Sequence, residues 1–127
     1  MILAATALLA AGCGYDGKVK PLPSTVIGTI ETQPPVAKGD AKAGKAVFAA
    51  QGCGSCHTYK PAGATGSVGP DLDKVLKGKD AAFIQQSIVD PNTVIAPGFQ
   101  PSIMPQTYGS QLSAKQIADL VAFLQQK

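Results

Sequence analysis

Residues 53–57 read Cys53-Gly54-Ser55-Cys56-His57: two thiols separated by two residues and followed at once by the only histidine of the chain. C-x-x-C-H is the attachment pattern of c-type haem. Two thiols at this spacing can add across the two vinyl groups of haem, and the next residue is placed to put its Nε2 on the iron. We therefore predict one covalently bound haem c, attached through Cys53 and Cys56, with His57 as an axial ligand of the iron.

Other sites can use the same residues. A zinc site commonly needs four ligands, but the third cysteine, Cys13, lies some forty residues away and there is no second histidine. A thioredoxin-like dithiol belongs in a βαβ unit, which the helical pattern described below disfavours. A disulfide between Cys53 and Cys56 stays open for a chain that never receives haem, but it leaves His57 without a role. Haem is the interpretation that uses all three side chains.

The composition fits one small domain with a cofactor in its core. The chain has 127 residues, of which 45% are hydrophobic and 15% charged, so a packed core is feasible and wholesale disorder is excluded. Aromatic residues make up only 6% and tryptophan is absent, which favours a core filled partly by a bound group. The formal charge of +3 comes without a basic run, so nucleic acid is not an expected partner.

From residue 40 onward, capping signals and hydrophobic spacing predict helices and no convincing strand. Asp40 is a good N-cap for a helix over 41–50, and Ser113-Ala114-Lys115-Gln116 is a capping box that opens a last helix. Shorter helices are expected over 72–77 and from Asp80 to about 89. The last helix has one apolar stripe, formed by Ile117, Leu120, Val121 and Leu124. The predicted fold class is all-α with long connections.

The first 39 residues are of another kind. Residues 1–11 are almost entirely apolar and are followed by Gly12-Cys13, too short a run for a membrane-spanning helix but typical of a secretion signal. This leader resembles that of bacterial lipoproteins, which implies cleavage after residue 12 and a diacylglycerol on Cys13. An uncleaved N-terminal helix with a buried thiol is the alternative. Residues 13–39 contain four prolines and are predicted to form a flexible tether.

The domain from residue 40 to residue 127 resembles a small class I cytochrome c. It is most similar to the haem domains joined to subunit two of bacterial haem–copper oxidases. Besides the haem motif, the resemblance rests on four stretches: Gly69-Pro70-Asp71-Leu72, Ser87-Ile88-Val89-Asp90-Pro91-Asn92, Pro97-Gly98-Phe99-Gln100-Pro101-Ser102-Ile103-Met104-Pro105 and Leu120-Val121-Ala122-Phe123-Leu124.

The resemblance implies further roles. The family places a distal methionine ligand before the last helix and follows it with proline, which makes Met104 the second axial ligand. Met104 is also the only methionine besides Met1, although methionine often serves simply to fill a gap in a core. The carbonyl of Pro70 is expected to accept a hydrogen bond from Nδ1 of His57. The first and last helices are expected to cross at Gly44 and Phe123, with Phe48 packed at the same place.

The sequence leaves two roles open for each of two tyrosines near the predicted haem. Tyr59 and Tyr108 are each expected either to hydrogen-bond a haem propionate or to pack their rings with the hydroxyl in water.

With protein ligands on both sides of the iron, the expected function is electron transfer and not catalysis. The resemblance implies redox protein partners: a donor such as a quinol–cytochrome c reductase and a terminal oxidase as acceptor. The expected location is the extracytoplasmic face of the bacterial membrane, through the lipid anchor at Cys13. A peroxidase-like or gas-binding protein is the alternative, and it requires that Met104 leave the iron.

Overall fold

The computed structural model describes residues 37–126, so the predicted signal peptide and all but the last three residues of the predicted tether lie outside the described residues. The helices and strands follow in chain order: α1 (Ala41–Ala50), α2 (Cys53–Cys56), β1 (Thr58–Tyr59), a 3₁₀ turn (Lys60–Ala62), β2 (Ala64–Thr65), α3 (Leu72–Val75), α4 (Ala81–Val89), α5 (Tyr108–Gln111) and α6 (Ala114–Leu124). Within this part of the chain, no helix is long and apolar enough to cross a bilayer.

The long helices begin at the predicted capping residues. The carboxylate of Asp40 accepts from the backbone N–H groups of the first turn of α1, at 2.7 and 3.1 Å, and Asp80 caps α4 through the N–H of Phe83 at 2.8 Å. The capping box of α6 is formed in both directions between Ser113 and Gln116. Side-chain oxygens thus satisfy N–H groups that a helix start leaves unpaired, which confirms these predictions.

α1 and α6 cross at Gly44, as predicted. A Cβ on Gly44 would collide with the backbone carbonyl of Asp119 and would lie 2.8 Å from Cβ of Phe123. Glycine costs a helix about 1 kcal/mol relative to alanine. The close approach of the two backbones is what makes that cost necessary.

An aromatic cluster of Phe48, Tyr59 and Phe123 fills the centre of this crossing. The three rings lie 5.4–5.9 Å apart between centroids, and Phe123 meets both others edge to face. Such pairs are worth about 0.5–1.5 kcal/mol beyond the area they bury. The cluster therefore gives the domain an apolar core made by the protein itself, even though aromatic residues are few.

Five short elements were not predicted from the sequence: α2, β1, the 3₁₀ turn, β2 and α5. β1 and β2 pair antiparallel, Thr58 opposite Thr65 and Tyr59 opposite Ala64, around a turn that ends at Gly63 with a positive φ of 68°. Strands of two residues are too short for an alternating pattern to show. α5 is a single turn, and α3 ends at Val75, two residues earlier than expected, because the chain turns there toward Gly78.

Candidate functional site

A cavity of about 700 Å³ lies beside the helix crossing, and the four predicted haem-binding side chains all line it. These are Cys53, Cys56, His57 and Met104. Much of the remaining wall is apolar, with Leu72, Ile84, Ile88, Leu112, Leu120 and Leu124 among its residues. None of the lining residues is a lysine, aspartate or glutamate. The haem motif and Met104, which are far apart in the sequence, therefore line the same uncharged cavity.

The two cysteines occupy the single turn of α2 and are not disulfide-bonded. Burial is the main cause that raises the pKa of the Cys53 thiol above its ordinary value, and the nearby Cys56 adds to it. Gly66 packs directly against the backbone of this turn. A Cβ there would lie 2.6–2.7 Å from backbone atoms of α2, and Thr58 donates its hydroxyl to the Gly66 carbonyl at 2.8 Å. Gly66 is a supporting position that the sequence patterns did not single out.

His57 follows the turn, and its ring is fixed on one edge. Its Nδ1 lies 2.8 Å from the carbonyl oxygen of Pro70. The backbone of Gly69 passes against the ring so closely that a Cβ would come within 2.6 Å of Cε1. When Nδ1–H donates to a carbonyl, Nε2 is the nitrogen left with a free lone pair for a metal. A larger residue than glycine would therefore collide with the ring at position 69. The ring of His57 is oriented by the backbone of Gly69 and Pro70.

Met104 lies in the loop of residues 91–107 between α4 and α5, which we call the methionine loop. Its side chain is half-buried and faces the same cavity as His57. The side chain of Gln106 donates to its backbone carbonyl at 2.7 Å. The loop also has a turn at Pro97-Gly98, where Gly98 has a φ of 86° and Phe99 N–H donates to the carbonyl of Ala96 at 3.1 Å. A proline followed by a glycine with positive φ is the pattern of a type II turn.

The structure separates the two tyrosines. Tyr59 is only 2% exposed and lies outside the cavity lining; its hydroxyl donates to the carbonyl of Phe123 at 2.9 Å and that of Gln126 at 3.2 Å. Burial, with a smaller contribution from the charge of Asp73, raises the pKa of Tyr59 to about 12. The ring of Tyr59 is packed, as one of the two expectations held, but both were wrong about its hydroxyl, which binds the carbonyl end of α6. Tyr108 does line the cavity, and burial followed by the nearby Cys53 and Cys56 raises its pKa.

The donor set and the cavity fit haem better than a bare metal ion. Within residues 37–126, no group of three or more His, Cys, Asp or Glu side chains is placed to hold a metal. One imidazole and one thioether on an apolar cavity, with two thiols beside the imidazole, are what a covalently attached planar group requires. No buried side-chain nitrogen or oxygen of the described residues lacks a hydrogen-bond partner, so no such atom is left over to bind a separate ion.

A small helical fold with crossing terminal helices and a C-x-x-C-H turn on an apolar cavity defines the class: a c-type haem protein. Comparison with known families agrees, since the cytochrome c family model matches residues 41–127. The chain belongs to the cytochrome c family, with the class I fold, and it carries haem c with its iron. The all-α prediction is confirmed.

Solved structures give a similar result. Among them is the c-type cytochrome SorU from Sinorhizobium meliloti, 25% identical, with a TM-score of 0.50 over 66% of this chain and 85% of that one. Curated proteins gave no significant match.

Proposed function

We propose that this protein carries single electrons between respiratory partners, through a haem whose iron has His57 and Met104 as axial ligands. As a cytochrome c, the chain transfers electrons by way of its haem. The observation that carries the finer proposal is that both side chains line the same cavity as the two thiols. When bound, haem supplies an iron that takes up and returns one electron.

The residues of the chain orient the ligands of the iron and set its reduction potential. The hydrogen bond between His57 and Pro70 keeps the imidazole in one orientation and makes it a better donor. A methionine thioether opposite histidine raises the reduction potential. With both axial positions taken by the protein, no coordination site is left for a substrate. The apolar wall excludes water, which limits solvent reorganisation when the charge changes.

Met104→Ala tests the ligand set. We expect haem to stay attached through both cysteines while the weak long-wavelength band of a methionine–ferric iron bond disappears and imidazole binds. The potential should fall by on the order of 0.1 V, a fraction of the roughly 0.8 V range that axial ligands span. Ser110→Ala is the control, since Ser110 is exposed and lies outside the cavity lining, and it should keep the band. A Met104→Ala protein with the parent's potential and no imidazole binding would show that Met104 is not a ligand.

We propose a terminal oxidase as the acceptor and a quinol-oxidising reductase as the donor. Support comes from the resemblance to oxidase-linked haem domains, and the charge of the domain predicts how association depends on salt. Residues 40–127 carry eight lysines and six aspartates, a net +2 that two haem propionates would cancel. Association with either partner should then depend little on net charge, so salt should have a modest effect on the rate.

The test measures oxygen uptake by membranes that contain a terminal oxidase, with the reduced protein as the electron source. We expect cyanide-sensitive uptake that changes only a few-fold between low and physiological salt. Uptake that falls by orders of magnitude over that range would contradict the charge argument, and no uptake at all would exclude the oxidase as acceptor.

The third part of the proposal is a membrane tether through a lipid on Cys13. It rests on the leader pattern of residues 1–13 and on the proline-rich composition of residues 14–39. A coil of 26 residues has an r.m.s. span of about 25–30 Å, enough to let the domain reach more than one partner at the membrane surface. Two acyl chains meet the requirement for stable anchoring.

Cys13→Ser tests the tether. The variant should appear with haem in the soluble fraction while the parent stays with the membranes. A variant that remains membrane-bound would show that the leader itself is the anchor. A parent that is already soluble would exclude the tether.

A further inference from the structure

The methionine loop contains a side-chain bridge between its two halves. Asn92 Oδ1 accepts a hydrogen bond from the backbone N–H of Ser102 at 2.8 Å, and Asn92 Nδ2 donates to Ser102 Oγ at 3.2 Å. The bridge joins residues ten positions apart. Bonds such as those of Phe99 to Ala96 and of Gln106 to Met104 join residues only two or three apart and leave the halves of the loop independent.

Ser102 has a backbone conformation that serine rarely adopts. Its φ is 62°, and it is the one residue other than glycine with a positive φ in residues 37–126. This conformation is costly for a residue with a Cβ and persists only where its surroundings hold it. Glycine would take the same φ without strain, but it would lack the hydroxyl that Asn92 contacts. The bridge therefore helps to hold the strained conformation, because Asn92 binds both the backbone N–H and the hydroxyl of Ser102.

The other end of the bridge is attached to a rigid part of the domain. Asn92 follows the buried Pro91 and lies in the turn that ends α4, where Thr93 binds Asp90 through its N–H at 3.1 Å and through its hydroxyl at 2.7 Å. Ser102 is only two residues from Met104, so the Cα atoms of the two are at most about 7 Å apart. The bridge thus connects the end of α4 to the backbone that carries the methionine.

We propose that Asn92 is a positioning residue for Met104. By holding Ser102 in its left-handed conformation, it keeps the second half of the loop in the arrangement that faces Met104 into the cavity. Loss of the bridge favours a form in which the loop has swung away and the thioether has left the iron. This inference rests on the ligand role proposed above for Met104.

The experiment measures imidazole binding to the ferric holoprotein, because imidazole competes with the methionine for the iron. For Asn92→Ala we expect binding about five- to tenfold tighter than in the parent, the factor that corresponds to two exposed hydrogen bonds of about 0.5–0.7 kcal/mol each. Asn92→Asp should stay close to the parent, since a carboxylate can accept from both the N–H and the hydroxyl of Ser102. Ser110→Ala is the matched control: Ser110 is exposed, follows Met104 and makes only a local bond to the Thr107 carbonyl at 2.9 Å.

Three outcomes in the variants overturn the inference. One is imidazole affinity in Asn92→Ala within twofold of the parent, and another is an equal increase in Ser110→Ala. The third is a loss of global stability in guanidinium titrations that accounts for the whole change, since a purely structural residue would act in that way. A parent that lacks the methionine–iron band would overturn the ligand role of Met104 and this inference with it. A parent that has the band, with unchanged binding in Asn92→Ala, would overturn only the role of Asn92.

Discussion

The helix crossing and the methionine loop are built in different ways. At the crossing, α1 and α6 approach so closely that only glycine fits at position 44, and three aromatic rings pack among themselves. The methionine loop has no helix or strand over residues 91–107, and it exposes Val94, Ile95 and Ile103, three apolar side chains that line the cavity. The crossing is stabilised by protein atoms, whereas the loop faces the space that the haem occupies.

The two regions therefore have different roles. The crossing contributes to folding stability through burial, and its hydrogen bonds include one between residues 64 positions apart. The loop carries Met104, the ligand proposed above, and the hydrogen bonds of its Asn92–Ser102 bridge are exposed and individually weak. A change at the crossing should therefore appear in unfolding experiments, and a change in the loop should appear in spectra, potentials and ligand binding.

The largest effect should come from preventing haem attachment, which tests whether the crossing can stand alone. In a Cys53→Ala, Cys56→Ala double variant that carries no haem, we expect a large loss of helical circular dichroism. Without haem, the apolar side chains around this cavity of about 700 Å³ lose their packing partners, and such a loss destabilises a small domain. Helix content and thermal stability equal to those of the parent would show that the crossing suffices.

Gly44→Ala tests the crossing itself. Alanine normally stabilises a helix relative to glycine by about 1 kcal/mol, but here its Cβ would collide with the carbonyl of Asp119. We expect the free energy of unfolding to fall by about 3 kcal/mol, measured by denaturant titration of the holoprotein. Ala46→Gly, on the exposed side of α1, is the reverse control and should cost about 1 kcal/mol. An increase in stability for Gly44→Ala would contradict the close packing.

Replacing each of the two tyrosines with phenylalanine tests whether the crossing affects stability and the cavity affects the reduction potential. Tyr59→Phe removes a hydroxyl that binds the carbonyl of Phe123, and we expect a loss of about 1–2 kcal/mol of unfolding free energy with little change in potential. Tyr108→Phe should change stability by less than about 0.5 kcal/mol, since its hydroxyl has no hydrogen-bond partner among the described residues. A shift of potential is expected for Tyr108→Phe only. The reverse pattern would contradict the assignment of the two hydroxyls.

The smallest effect concerns the carboxylate of Asp119, which is 4% exposed at the crossing. Its hydrogen bond with Lys115, at 2.8 Å, and the N–H of Asp40, at 2.7 Å, lower its pKa. Because its pKa is lower in the folded state, its contribution to stability is complete above the unfolded pKa of about 3.9 and is lost as the pH falls through the folded value.

Asp119→Asn should therefore be less stable than the parent near neutral pH, and the difference should shrink as unfolding is measured at lower pH. Asp80→Asn is the control, because asparagine caps a helix about as well as aspartate does. A deficit for Asp119→Asn that is the same at every pH would contradict the role of the charge.

Local rules predicted the parts of this fold that depend on neighbouring residues. Asp40, Asp80 and Ser113 mark helix starts because a cap binds N–H groups two or three residues away. The stripe of α6 is visible because burial repeats with the helix period. The haem motif can also be recognised from the sequence, since its three side chains lie within five consecutive residues.

Contacts between distant residues left no such local pattern. Nothing around Tyr59 shows that its hydroxyl meets the end of α6, because the partner is 64 residues away. The positive φ of Ser102 is also hidden, since serine does not signal that conformation as glycine does. Gly44 was placed correctly only through the resemblance to class I cytochromes c, because a helix pattern alone shows the cost of a glycine and not the helix that it contacts.

The contacts of Gly39 and Asp40 with α6 have a mechanical consequence. The backbone of Gly39 packs so tightly on Ala118 that a Cβ would collide with its carbonyl and lie 2.7 Å from the N–H nitrogen of Asp119, and the next residue donates its own N–H to the Asp119 carboxylate. The chain therefore enters the domain at the helix crossing. A force that pulls Gly39 and the end of α6 apart would therefore act first on the contact between α1 and α6.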